Sequence, residues 1–74
     1  MPEVIFIFPS VHNTLEAEEV LQNYGLDFLV VPVPPWINEG CGLGIQLREE
    51  KKQEACRQIE KAGIPLLKIV QKTK

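Results

Sequence analysis

Val4-Ile5-Phe6-Ile7-Phe8-Pro9-Ser10 is the stretch that decides the fold. Its uninterrupted β-branched and aromatic run reads as a strand, and Pro9-Ser10 ends it because proline cannot donate to a ladder. Directly beyond, the period changes. Ala17, Val20, Leu21 and Tyr24 recur at i, i+3, i+4 and i+7 among Glu16, Glu18 and Glu19, which predicts an amphipathic helix. Ser10 or Asn13 can cap it, Asn13-Thr-Leu-Glu16 fits a capping box, and Gly25 stops it.

Outward from this unit the alternation continues. Asp27 to Val33 is a second expected strand. In the third, Leu43, Ile45 and Leu47 alternate with Gly42, Gly44 and Gln46. Arg48 to Ala62 reads as a second helix with an Ala55/Ile59/Ala62 stripe, stopped by Gly63 and followed by Pro65. Leu66 to Gln71 is the fourth strand, and Lys72-Thr-Lys74 is a frayed tail. The order βαββαβ predicts a ferredoxin-like α+β sandwich in which two helices cover one face of an antiparallel sheet. Right-handed crossovers give the strand order 4-1-3-2.

Seventy-four residues make a single domain spanning 1–74, and 45% hydrophobic content suffices for a core. Pro2-Glu3 after Met1 lacks the basic region of a signal peptide, and no apolar run approaches a membrane span. A cytoplasmic setting, with free thiols and no membrane partner, is the expectation. The net charge of −2 conceals an asymmetry, since residues 1–47 carry six acids and no Lys or Arg while residues 48–74 carry all eight bases and four acids. That basic segment is interleaved with Glu and has no aromatic residue for stacking, so no nucleic-acid partner is expected. Phosphate-loop, dinucleotide and hydrolase motifs are absent, and no cofactor is expected.

The topology has two consequences. The end of strand 1, the start of helix 1 and the loop between strands 2 and 3 share one rim, which sets Cys41 near Pro9, Ser10 and the first turn of helix 1. If Val4, Phe6 and Phe8 face the helices, Ile5 and Ile7 point to the other side. A bare apolar sheet face is sticky, so a homodimer through that open face is expected.

Gly40-Cys41-Gly42 is the candidate site. Flanking glycines leave room for another molecule to approach the sulfur and the neighbouring N–H groups. Thiolates form most readily at helix N-termini or beside cations, and Lys61, near the end of helix 2, belongs to the same rim. A half-buried packing residue is the alternative for Cys41. His12 shares the rim, and a Cys/His pair can generate a nucleophile. One Cys and one His cannot fill a metal site, so none is expected. Cys56, at the edge of the helix 2 stripe, reads as packing, as does Trp36 in the loop stiffened by Pro32, Pro34 and Pro35.

Several of these residues carry a family resemblance. Phe8-Pro-Ser10, then His12, a Glu-rich helix with Ala17, Gly25, Val31-Pro-Val-Pro34 and Cys41-Gly42-Leu43 resemble the selenium/sulfur carrier-like family, a small bacterial group, over nearly the whole chain. The resemblance implies a cysteine that holds sulfur or selenium, and Cys41 alone falls on the family's cysteine. An Arg and a Ser that the family pattern has after the second proline are replaced here by Pro35-Trp36 and Asn38. The leading expectation is a carrier or thiol-exchange protein with Cys41 as acceptor, supported by Gly40, Gly42, Ser10 and His12. It would act as a relay co-substrate rather than a turnover enzyme, with donor and acceptor proteins as partners. The alternatives are a dimeric interaction or regulatory module without cysteine chemistry, and a thiol redox sensor.

Overall fold

A computed structural model describes residues 2–38 and 40–72. The elements are β1 (Glu3–Ile7), α1 (Val11–Tyr24), β2 (Leu29–Pro32), β3 (Leu43–Arg48), α2 (Lys52–Lys61) and β4 (Lys68–Lys72). They form one sheet in the order β2-β3-β1-β4 with every neighbouring pair antiparallel. The fold is the expected ferredoxin-like α+β arrangement. β1 pairs along its length with both β3 and β4, with Ile5 opposite Gln46 on one side and Val70 on the other.

Alternation along β1 sends Val4, Phe6 and Phe8 into a core shared with Ala17 and Leu21 of α1, Ile45 and Leu47 of β3, and Ala55 and Ile59 of α2. Both helices therefore lie on one face. α1 buries Thr14, Ala17 and Leu21, while Tyr24 lies half-exposed and donates its phenolic O–H to Glu54 of α2. That carboxylate bond, followed by desolvation, holds the Tyr24 phenol above its usual range. Gly25, at φ 96°, caps α1 and donates to the carbonyls of Leu21 and Gln22.

Local boundaries depart from the expected ones. Arg48 is extended and ends β3, a 3-10 turn takes Glu49–Lys51, and α2 begins only at Lys52. A bond from the Glu49 N–H to the Pro2 carbonyl turns the chain there. Ala62 is exposed, and Ile64 completes the apolar stripe instead. β2 is shorter than Asp27 to Val33. Lys72, expected in the frayed tail, pairs with Glu3 in β4, whereas Thr73 and Lys74 lie outside the described residues.

The largest correction concerns the second sheet face. Ile5 and Ile7 are only 2% and 0% exposed in the single chain, so the bare apolar face expected to drive dimerisation is missing at its centre. Glycines explain the burial. A Cβ on Gly44 would fall 2.7 Å from Ile5 Cγ2, and one on Gly40 would fall 2.7 Å from Ile7 Cγ2. The isoleucines fill the space that side chains at 44 and 40 would need, with Val33 and Leu67 beside them. Gln46, also buried on this face, donates to Glu3 and so is satisfied.

Two substitutions test this packing. Gly44→Ala must displace Ile5 or the Phe6 carbonyl, 3.0 Å from the added methyl, and should cost about 1–3 kcal/mol in urea unfolding at unchanged m-value. Gly40→Ala should cost at least as much, because the Phe8 carbonyl lies 2.9 Å from the new carbon and φ is +85°.

Candidate functional site

Ser10 organises the rim. Its backbone is extended (φ −144°, ψ 161°) and its Oγ accepts the Asn13 N–H at 3.1 Å, which starts α1 at Val11. Between the two expected caps, Ser10 serves. Asn13 lies within the first turn, accepting the Ser10 hydroxyl at 2.9 Å and donating to Glu16 at 3.2 Å.

Cys41 reaches this turn from the return of the β2–β3 loop. The Val33 N–H donates to the Gly42 carbonyl at 2.9 Å and closes the loop just before β3. The thiol is half-buried and free. Its Sγ lies 3.3 Å from Thr14 Oγ1 and donates to the Leu43 carbonyl at 3.6 Å. Sequence topology thus located the sulfur well, beside the first turns of α1, where the free N–H groups of the helix create partial positive charge.

The two flanking glycines differ. The side-chain space at Gly40 is occupied by Ile7 and the Phe8 carbonyl, so this residue serves packing. At Gly42, with φ +90°, nothing lies within 4 Å of where a Cβ would be. Of the two residues flanking Cys41, it is therefore Gly42 that has open space beside it.

His12 takes a different direction from the one considered. Its side chain is 80% exposed and its Nε2 lies 3.6 Å from Glu16 Oε2 on the same helix. Lys61 ends α2 at this rim and is exposed. Trp36, expected to pack, is 67% exposed, because a turn closed by the Ile37 N–H and the Pro34 carbonyl at 3.0 Å carries it outward. Glu39 lies outside the described residues.

Thr14 is the member of this site that pattern reading missed. It is fully buried, its hydroxyl donates to the Ser10 carbonyl at 3.1 Å, and it faces Cys41. The available signal was its spacing, three residues before Ala17 and seven before Leu21 on the buried stripe. Cys56 occupies a different setting, in a 280 Å3 surface pocket with Ile59, Glu60, Ile64 and Leu66. Desolvation pushes its thiol up, with Lys52 opposing and Glu60 reinforcing, so it is less often a thiolate than an ordinary cysteine. Among the described residues no group of three or more His, Cys, Asp or Glu side chains is placed to hold a metal, and no helix is long and apolar enough to cross a membrane.

No curated protein and no solved structure matches the chain. A family model described as "Putative Se/S carrier protein-like" matches residues 3–71, which takes in all of β1 through α2, the Cys41 rim and most of β4. With nearly the whole chain inside that match, this ferredoxin-like domain belongs to the Se/S carrier protein-like family.

Proposed function

We propose that this chain carries sulfur or selenium on Cys41, between a donor and an acceptor protein. The observation that carries the reading is the half-buried Cys41 sulfur 3.3 Å from Thr14 at the start of α1, in a chain of this family. The site combines a thiol, a hydroxyl that can donate to it, and open space beside Gly42.

The chemistry balances without an added oxidant. The Cys41 thiolate attacks the outer sulfur of a donor persulfide, R–S–SH. A new S–S bond forms on Cys41 while the donor's S–S bond breaks, and its electron pair leaves on the donor thiolate. The proton stays on the transferred sulfur, and transfer to the acceptor repeats the exchange. Selenium would follow the same route as a selenosulfide. The chain is then a co-substrate in a relay, and a reducing cytoplasm suits a thiol that must stay free. Ser10 contributes by capping the helix that faces the sulfur, and Gly42 by leaving the approach open. The proposed step is written without His12, whose Nε2 lies 3.6 Å from Glu16 Oε2.

A second reading, an interaction module, draws support from the exposed Leu29, Val30 and Trp36. A homodimer under this reading would bury β2 and the loop tip rather than Ile5 and Ile7. Sedimentation across a concentration series should then show a dimer that Trp36→Ser weakens. A wild-type monomer throughout would remove the homodimer.

Intact masses after incubation with a cysteine desulfurase and either cysteine or selenocysteine test the carrier. Wild type and Cys56→Ser should each gain one chalcogen atom, and Cys41→Ser none. An adduct retained by Cys41→Ser, or absent from wild type, sinks the carrier reading. A disulfide-linked pair of chains formed only under oxidant would mark a redox sensor instead.

A further inference from the structure

We infer that Thr14 is a positioning residue for the Cys41 sulfur, its hydroxyl turning between the Ser10 carbonyl and the thiolate. The inference takes its biological meaning from the reading of Cys41 as the chalcogen acceptor and deepens it.

Three distances carry the inference. Thr14 Oγ1 is 3.1 Å from the Ser10 carbonyl and 3.3 Å from Cys41 Sγ, so one torsion, the rotation of the O–H about Cβ–Oγ1, selects between two acceptors already in reach. The Ser10 carbonyl also accepts the Thr14 backbone N–H at 3.1 Å, so it keeps a partner when the hydroxyl turns away. Burying Thr14 completely denies the hydroxyl any water as a competing partner.

The two states of the sulfur use these groups differently. As a thiol, Cys41 donates to the Leu43 carbonyl while Thr14 donates to Ser10. Once its proton has gone to solvent, the sulfur accepts only. The bond from the thiol to the Leu43 carbonyl is then lost, and the Thr14 O–H turns to the sulfur. A charged acceptor makes that bond stronger than the neutral one it replaces. After sulfur transfer the negative charge has left with the donor thiolate, Sγ is a neutral bridging sulfur beneath the outer SH, and the hydroxyl is released to Ser10. Thr14 thus favours the attacking form over the loaded one. Among the described residues, His12 and Glu16 on α1, Lys61 at the end of α2 and Lys68 at the start of β4 are charged side chains on the elements that begin or end at this rim. They form a background common to every Thr14 variant.

The experiment reads alkylation of Cys41 by iodoacetamide at pH 7, in folded Cys56→Ser protein so that a single thiol reports. Thr14→Val keeps the shape and removes the donor. It should slow alkylation about three-fold, the net of a smaller thiolate fraction and a more nucleophilic thiolate. Thr14→Ser restores the hydroxyl and should react within about two-fold of the parent, although losing its methyl lowers the unfolding midpoint. A merely structural Thr14 predicts the opposite pattern: stability falls with no ordered change in rate. Equal or faster alkylation in Thr14→Val, or a Thr14→Ser rate as slow as that of Thr14→Val, overturns the inference. Alkylation needs no chalcogen donor, so these outcomes stand apart from the carrier test, which fails on missing adducts alone.

Discussion

β1 is hydrogen-bonded on both edges and covered on both faces, and the rest of the molecule is arranged around that constraint. Helices cover Val4, Phe6 and Phe8, as any two-layer sandwich requires. The opposite face has no second layer. Ile5 and Ile7 are hidden there because β3 and the loop before it supply backbone without side chains at Gly44 and Gly40. A small chain that cannot add a layer has used missing atoms to bury apolar surface. This arrangement also brings the loop against the end of β1, and so brings Cys41 to the first turns of α1.

That placement links packing to chemistry. Gly40 must lie close to Ile7 and the Phe8 carbonyl, so the next residue has little freedom in where it goes. The Val33–Gly42 backbone bond fixes the other side. Cys41 is held between these two anchors and meets Thr14. Cys56, on a helix surface, has neither anchor, and desolvation pushes its thiol up. The two cysteines differ through their surroundings, since their side chains are the same.

The layered topology was legible because it depends on period and punctuation. Val4 to Phe8, the Ala17–Leu21 stripe, Gly25 and Gly63 each announce an element or its end, and handedness then orders the strands. The rim neighbourhood of Ser10 and Cys41 followed from that order. Less legible features depend on how side chains meet across the fold. Thr14 enters the sequence only as an inner residue of the Asn13–Glu16 capping box, and only the fold brings its hydroxyl to Cys41. Gly44 enters the sequence only as an alternating position of the third strand, whereas its vacancy houses Ile5. Trp36 reads as core by its size, but the Pro34–Ile37 turn directs it outward. His12 and Cys41 share a rim, yet an i,i+4 partner on the same helix takes the imidazole.

The Val33–Gly42 bond closes the base of the β2–β3 loop, with Pro34, Pro35 and the exposed Trp36 beyond it. Cys41 belongs to that closed ring, one residue from its hydrogen-bonded base. A displacement of the loop therefore reaches the sulfur through Gly40, whose seat against Ile7 and the Phe8 carbonyl resists it.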